Sequence, residues 1–167
     1  KMIMSDSEAG RKKALNELFA YVKKDIKATL EVMDGLPVTV RLLDPPLHEF
    51  LPHDKQKLLE LSKELGIKMS LLNRRILALH ENNPMLGHRG VRLGVSYPEI
   101  TDMQVRAILE ATGELILEGK KAYPEIMIPV TMGRHELRHQ KEIVDRVYNE
   151  VCTKLKLKEI PYMYGTM

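Results

Sequence analysis

Apolar residues recur at intervals of three and four along the first part of the chain, which is the spacing of one apolar helix face. These positions are Leu15, Leu18, Phe19, Val22 and Ile26. The pattern predicts a long amphipathic helix over about 6–33. The Asp-Gly pair at 34–35 predicts its end, because glycine is common just past the last helical turn.

Short apolar and β-branched runs alternate with such helical patterns further along. They lie at about 36–43, 91–95, 125–130 and 160–166, and each predicts a strand. The prolines at 45 and 46 end the first run, since proline cannot donate to a sheet ladder. The runs are joined by helical patterns rather than by hairpin turns. The sequence therefore predicts an α/β fold with about four parallel strands.

Two of the connecting helices have clear apolar stripes. The first is predicted over about 96–118, opened by a capping box at 96–99 with proline in its first turn. Its apolar positions are Ile100, Met103, Val105, Ile108, Leu109 and Leu115. The second is predicted over 134–155. Its apolar positions are Ile143, Val147, Val151 and Leu155.

A helical hairpin is predicted at about 53–82, inserted between the first two strands. Its first helix spans about 54–65, with Asp54 as N-cap and Gly66 as the stop. Its second helix spans about 71–80 and is expected to be capped by Ser70.

The composition limits the classes of partner. The chain has 167 residues, about the size of one domain, and a net charge of only +3 with 5% aromatic residues. It lacks a clustered basic face, so nucleic acid is not expected as a partner. No apolar run is long enough to span a membrane. The single cysteine, Cys152, excludes an internal disulfide and favours a cytoplasmic protein.

A glycine-bracketed loop is the strongest functional signal. Residues 83–93 contain a proline, two glycines and two arginines, Arg89 and Arg92. A guanidinium group held on a shaped loop is suited to gripping a carboxylate or a phosphate with two hydrogen bonds. Arg89 is thus a candidate anion-binding residue, the alternative being a solvated turn. Arg92 is expected to form a structural pair.

Arg41 is the second candidate. It lies late in the first predicted strand, and active sites of parallel barrels form at the C-terminal strand ends. The alternative is a structural ion pair with Asp44 or Glu49. The functional hypothesis depends on whether Arg41 and Arg89 share one pocket.

Other motifs favour structural roles. The run His135-Glu136-Leu137-Arg138-His139 matches the HExxH pattern of zinc hydrolases, but Arg138 is a cation near the expected metal position. No third ligand follows, so a solvated helix face is the preferred interpretation. Cys152 is expected to be a half-buried structural thiol. Three further histidines lack a convincing catalytic partner in sequence. They are His48, His53 and His80.

Three segments resemble the pyruvate, phosphate dikinase family. They are residues 35–50, which include the run Asp-Pro-Pro-Leu-His-Glu-Phe, residues 83–90 and residues 124–129. The final Tyr-Gly-Thr-Met at 164–167 is similar to the start of that family's next strand-end motif. Related phosphoenolpyruvate-using enzymes share the Asn-Pro-x-Leu-Gly-x-Arg motif but lack the run after Arg41.

The resemblance implies a fold and an activity. The chain is expected to be a fragment, 1–167, of the family's phosphoenolpyruvate/pyruvate-binding (β/α)₈ TIM-type barrel, with the helical insertion at about 53–82. The parent enzyme, a phosphotransferase, would convert ATP, phosphate and pyruvate to AMP, diphosphate and phosphoenolpyruvate. Arg41 and Arg89 match family arginines that bind the substrate. The parent would use Mg²⁺ and would be cytoplasmic, or located in a plastid or another organelle.

The resemblance also implies missing parts. The family's metal-binding carboxylates and its proton-donating cysteine have no match here, and Cys152 does not fit that cysteine's motif. We therefore expect no catalytic or metal-binding residue in this chain and no turnover by the chain alone. Its expected partners are the remaining barrel strands and the phosphohistidine domain. The alternative is a non-catalytic half-barrel that self-associates, for example as a homodimer.

Overall fold

The computed structural model describes residues 1–5, 7–52, 54–80 and 83–167. Helix α1 spans Glu8–Val32, and Ser7 caps it by accepting a hydrogen bond from the Gly10 amide. Strand β1 follows at Pro37–Arg41. The predicted first helix and first strand are therefore confirmed, although residue 6 lies outside the described residues. No helix in the described part of the chain is both long and apolar enough to cross a membrane.

Two short helices follow β1, as predicted. Helix α2 spans Lys55–Leu65, with Asp54 accepting from the Gln56 amide and Gly66 ending the helix in the left-handed conformation. Helix α3 spans Met69–Leu79. The expected Ser70 cap is wrong, because α3 begins two residues earlier than predicted and Lys68 is its N-cap. Three residues of the predicted insertion, at 53, 81 and 82, lie outside the described residues. That the hairpin is an insertion in a barrel stays a prediction.

The predicted strand at 91–95 is wrong. These residues lie in helix α4, Gly90–Ser96, where Val91 and Leu93 are buried and Val95 is exposed. Apolar residues at every second position fit a strand, but a run of five residues fits one turn of helix equally well. The sheet therefore has three strands in the described residues rather than four.

The remaining elements agree with the predictions. Helix α5 spans Pro98–Leu117, strand β2 spans Tyr123–Ile128, helix α6 spans Arg134–Leu155 and strand β3 spans Met163–Thr166. The capping box at 96–99 is wrong, since Tyr97 is the N-cap of α5 and its side chain makes no capping bond. Proline does occupy the first turn, as expected.

The strands β1, β2 and β3 pair in parallel, in the order β1-β2-β3. Arg41 is paired in register with Met127, and Met127 with Gly165. The carboxyl ends of the three strands therefore lie along one edge of the sheet, where the loop before α4 also arrives.

One face of the sheet packs on helices. Helix α5 is packed between α1 and α6, and both α5 and α6 contribute to the main core against the sheet. The buried side chains of this core include Val105, Ile108, Leu109, Ile126, Ile128, Ile143, Val144, Val147 and Val151. The predicted apolar faces of α5 and α6 are thus confirmed, with Leu155 only partly buried. On α1, Leu18 is exposed, contrary to the predicted apolar face.

The opposite face of the sheet is open. Thr39, Arg41, Met163 and Gly165 are exposed on it, and the hydroxyl of Thr39 donates to the Glu125 carboxylate across the two strands. Parallel sheets are normally covered on both faces. The described residues therefore form a sheet with helices on one side only.

Buried charge on α5 is paired rather than isolated. The Glu110 carboxylate, although buried, accepts from Lys23 of α1 at 3.2 Å and from Lys154 of α6 at 2.6 Å. Burying a carboxylate without such partners would be strongly unfavourable. These pairs tie α5 to both neighbouring helices.

Candidate functional site

The two candidate arginines meet at one carboxylate. Arg41 lies at the end of β1, and Asp44 follows three residues later in the loop. Arg89 is the residue before α4. Arg89 Nη2 lies 2.6 Å from Asp44 Oδ2, and Arg41 Nη1 lies 3.3 Å from the same oxygen. Arg41 and Arg89 therefore share one site, at the carboxyl end of the sheet.

Arg89 and Asp44 form a bidentate pair. Arg89 Nε also donates to Asp44 Oδ1, at 3.2 Å, so two parallel hydrogen bonds join the groups. The Asp44 side chain is only 4% exposed, while the Arg89 side chain is 21% exposed and the Arg41 side chain 52%. The carboxylate thus lies beneath the two guanidinium groups, and Arg41 reaches towards solvent on the open face of the sheet.

The structural alternative for Arg41 is realised in part. Its ion-pair partner is Asp44 and not Glu49. The alternative for Arg89, a solvated turn, is not what the structure shows, because Arg89 is mostly buried and tightly bonded. Sequence reasoning treated Asp44 only as a possible partner of Arg41 and missed its bond to Arg89. An acid three residues after one candidate arginine and next to two prolines was the available signal.

Backbone hydrogen bonds fix the loop that carries Arg89. The Gly90 amide donates to the Asp44 carbonyl at 3.1 Å, and the Val91 amide donates to the Pro129 carbonyl at 2.9 Å. Gly90 has a φ of +54°, and an added Cβ would lie 2.9 Å from the Pro129 oxygen. Only glycine fits this left-handed, crowded position. The loop before α4 is therefore clamped to the ends of both β1 and β2.

The turn after β2, which contacts this loop, contains strained backbone. Val130 has a φ of +56°, which is unusual for a β-branched residue. The hydroxyl of the next residue, Thr131, is buried and has no hydrogen-bond partner in the described residues. Strained backbone is often found at functional sites, where the surrounding structure holds it in place.

Arg92 holds the loop internally. It donates to the Gly87 carbonyl at 2.7 Å and contacts the Met132 sulfur at 3.3 Å. It thus has a structural role, with a backbone carbonyl as its main partner. The rings of His88 and Tyr97 lie 5.7 Å apart and are tilted by 46°, and His88 Nε2 lies 2.9 Å from the Ser96 hydroxyl.

The HExxH segment lies at the start of α6. The Glu136 carboxylate accepts from the Met132 and Gly133 amides at 3.0 and 3.2 Å, so it caps the helix. His139 Nδ1 lies 3.1 Å from Gln140 Nε2. In the part of the chain that the structure describes, no group of three or more His, Cys, Asp and Glu side chains could hold a metal ion. Glu136 therefore serves as a helix cap in this segment.

The remaining candidates lie outside the arginine site. Cys152 is half-buried against the main core, as predicted. His48 and His80 stack on each other with ring centroids 5.8 Å apart. His53 lies outside the described residues.

The arrangement is suited to binding an anion. Two permanently charged guanidinium groups converge on one point, and the described residues place no nucleophile or general base with them. Because Asp44 is already committed to both arginines, the donor set present does not fit Mg²⁺.

Comparison with known proteins gives a consistent result. Residues 2–167 match the family model described as PEP-utilising enzyme, PEP-binding domain. The chain is 47% identical over 168 residues to a pyruvate, phosphate dikinase of Clostridium symbiosum, covering 100% of this chain and 19% of that protein. It is 47% identical to the chloroplastic pyruvate, phosphate dikinase 1 of Oryza sativa subsp. japonica, covering 99% of this chain and 18% of that protein.

A bacterial relative gives similar values. The pyruvate, phosphate dikinase of Rhizobium meliloti (strain 1021) is 46% identical, with 99% of this chain and 18% of that protein covered. The chain thus spans about a fifth of the length of the curated relatives that it matches. The resemblance noted in the sequence is confirmed, and the chain belongs to the family of PEP-utilising enzymes, as part of their PEP-binding domain.

Proposed function

We propose that this chain is part of a pyruvate, phosphate dikinase and that Arg41 and Arg89 bind phosphoenolpyruvate and pyruvate. The observation that carries the proposal is the convergence of both guanidinium groups on one oxygen of Asp44, at the carboxyl ends of parallel strands. The family match and the dikinase relatives support the same substrate class.

The charges fit the proposed ligand. Phosphoenolpyruvate carries a carboxylate and a phosphoryl group, and pyruvate carries a carboxylate. Guanidinium groups bind both anions with two hydrogen bonds and stay charged at every physiological pH. In phosphoryl transfer, catalysis consists mostly of positioning and of stabilising negative charge. The role proposed for Arg41 and Arg89 is to orient the substrate and to offset its charge.

The open face of the sheet also supports a proposal about the fold of the complete protein. Thr39, Arg41 and Met163 would point into the interior of a (β/α)₈ barrel that further strands complete, with α2 and α3 as an inserted hairpin. Burial of this face would give the parallel sheet the two covered faces that such sheets normally have. The completed barrel and a phosphohistidine domain would then supply the reacting groups.

Two further parts of the proposal concern Mg²⁺ and the activity of the chain by itself. Mg²⁺, which the parent would use, has to be held elsewhere, since Asp44 is occupied by the arginines. We also propose that the chain alone does not turn over substrate. The parent's compartment would be the cytoplasm or a plastid, as one of the relatives is a chloroplastic form.

The test uses the complete protein that carries this chain. Arg41→Gln and Arg89→Gln should each lower kcat/KM for phosphoenolpyruvate by roughly thirtyfold or more, because losing a charge-paired contact costs about 2–5 kcal/mol. Arg138→Gln, on the exposed side of α6, is the control. Unchanged kinetics in both site variants would refute substrate binding by these arginines.

The open sheet face also favours a second candidate, a self-associating module. Exposed strand edges and an uncovered face promote pairing between copies. Light scattering of this chain measures its mass in solution and so tests self-association. A stable dimer at micromolar concentration supports self-association, whereas a monodisperse monomer contradicts it.

A further inference from the structure

We propose that Asp44 is a positioning residue, which holds Arg41 and Arg89 so that their remaining N–H donors face the substrate. This inference rests on the proposed function of the two arginines and adds to it the residue that orients them. It also reconciles the two interpretations of Arg41, because the structural ion pair becomes the means of building the binding site.

The geometry leaves donors available. Arg89 bonds to Asp44 side-on, through Nε and Nη2. A guanidinium group has five N–H donors, so three remain on Arg89, at Nη1 and Nη2. One N–H of Nη1 and one of Nη2 form the end-on edge of the group, which does not face Asp44. That edge is the one that binds a carboxylate or a phosphoryl group with two parallel bonds.

Asp44 is itself rigidly held. Its carbonyl accepts from the Gly90 amide at 3.1 Å, and the amide of the preceding residue, Leu43, donates to Gln104 Oε1 of α5 at 3.0 Å. Two prolines follow, and proline restricts the backbone torsion φ. The carboxylate is therefore a fixed anchor, and the guanidinium that it binds side-on inherits its position.

The charge of Asp44 has a second effect. Two guanidinium groups contact one carboxylate oxygen, at 2.6 and 3.3 Å, where they would otherwise repel each other. One negative charge between two positive charges leaves a net charge of +1 on the three groups. The site thus keeps an attraction for an anionic ligand while its two cations stay together in the absence of substrate.

The first experiment substitutes Asp44→Asn in the complete protein that carries this chain. Asparagine keeps the size of the side chain but removes its negative charge, and its NH₂ group cannot accept the second hydrogen bond of Arg89. We expect the KM for phosphoenolpyruvate to rise about ten- to a hundredfold, the range for loss of a hydrogen bond to a charged group, with a smaller change in kcat. Asp25→Asn, on the exposed side of α1, is the matched control.

The second experiment observes the contact without turnover. In the unsubstituted complete protein labelled with ¹⁵N-arginine, we expect the Arg89 Nε–H signal to be protected from exchange with water. We expect it to stay protected when phosphoenolpyruvate is added, since substrate should use the opposite edge. This measurement does not require any variant to fold. Loss of protection on adding substrate would show that Asp44 is displaced, which overturns the inference.

The outcomes separate this inference from the proposed function. If Arg89→Gln weakens phosphoenolpyruvate binding while Asp44→Asn leaves the KM unchanged or lowers it, the positioning role is refuted and the proposed function stands. If neither arginine variant changes the kinetics, the proposed function fails, and the positioning role fails with it.

Discussion

Arg89 binds Asp44 through two parallel hydrogen bonds, of 3.2 Å from Nε to Oδ1 and 2.6 Å from Nη2 to Oδ2, across 45 positions of sequence. The bond joins the loop after β1 to the loop before α4. The same contact therefore has a role in stability as well as in the proposed binding of substrate, and both roles are open to measurement.

The first prediction concerns the shape of the Arg89 side chain. Arg89→Lys keeps the charge but replaces the planar fork by one ammonium group, which cannot bridge both oxygens of Asp44. We expect the free energy of unfolding of this chain to fall by about 1–2 kcal/mol. Urea denaturation followed by circular dichroism measures this, with Arg138→Lys as the control. Equal stability of the two variants would contradict the prediction.

The second prediction concerns the backbone at Gly90. Gly90→Ala places a methyl group 2.9 Å from the Pro129 oxygen in a residue with a φ of +54°. The left-handed conformation costs about 1–2 kcal/mol and overpacking about 1–3 kcal/mol, so we expect a loss of about 2–5 kcal/mol. Gly165→Ala is the control, since nothing lies within 4 Å of its added Cβ. Similar melting temperatures for both variants would show that the loop tolerates a side chain at residue 90.

The third prediction concerns the core around α5. Leu109→Ala removes a fully buried side chain and should lower the free energy of unfolding by about 2–5 kcal/mol. Leu117→Ala, on an exposed position of the same helix, should change it by about 0.5 kcal/mol or less. Denaturant titration of both variants gives the comparison. A cost at residue 117 as large as at residue 109 would be inconsistent with this core.

The fourth prediction concerns acid stability. The hydrogen bond from Arg106 lowers the pKa of the Glu150 carboxyl below its ordinary value of 4.5; burial opposes this, and Arg146 adds to it. A lowered folded-state pKa stabilises the fold above the unfolded-state pKa, and this contribution is lost as the pH falls through the folded-state value. Because the Glu150 side chain is 44% exposed, we expect a contribution of about 1 kcal/mol or less.

The measurement for Glu150 is the pH dependence of unfolding. Glu150→Gln should be less stable than the unsubstituted chain at pH 7, and the difference should shrink as the pH falls below about 4. Glu60→Gln, on the exposed side of α2, controls for the loss of one negative charge. If the difference in stability between the two chains stays constant down to pH 2, the ionisation of Glu150 does not contribute to stability as predicted.

Much of the fold follows from periodicity in the sequence. Helix α6 begins and ends at the predicted residues, because its apolar stripe at Ile143, Val147 and Val151 is long and regular. The segment 91–95 fits a strand and a helix equally well in sequence, because five residues are too few to separate a period of two from a period of 3.6. Its helix is set by long-range bonds to the ends of β1 and β2, such as that from the Gly90 amide to the Asp44 carbonyl. The local helix and strand propensities of a segment carry no information about such long-range contacts.

The candidate site was predictable in its members but not in its geometry. Arg41 and Arg89 stood out by their position at a strand end and between glycines. Their meeting at Asp44 depends on which strand ends lie side by side, and this is decided by the parallel register of β1 and β2. The N-cap of α5 is less predictable from sequence. The Ser96 hydroxyl bonds to His88 and does not cap α5.

The hydrogen bond between the Leu43 amide and Gln104 Oε1 links the loop that carries Asp44 to helix α5. A small tilt of α5 would therefore shift the anchor of both arginines, although α5 itself carries neither of them. Sequence variation among related proteins at core positions of this helix would then tune ligand affinity from a distance. Comparing natural chains that differ only in α5 is a way to observe this tuning without touching either arginine.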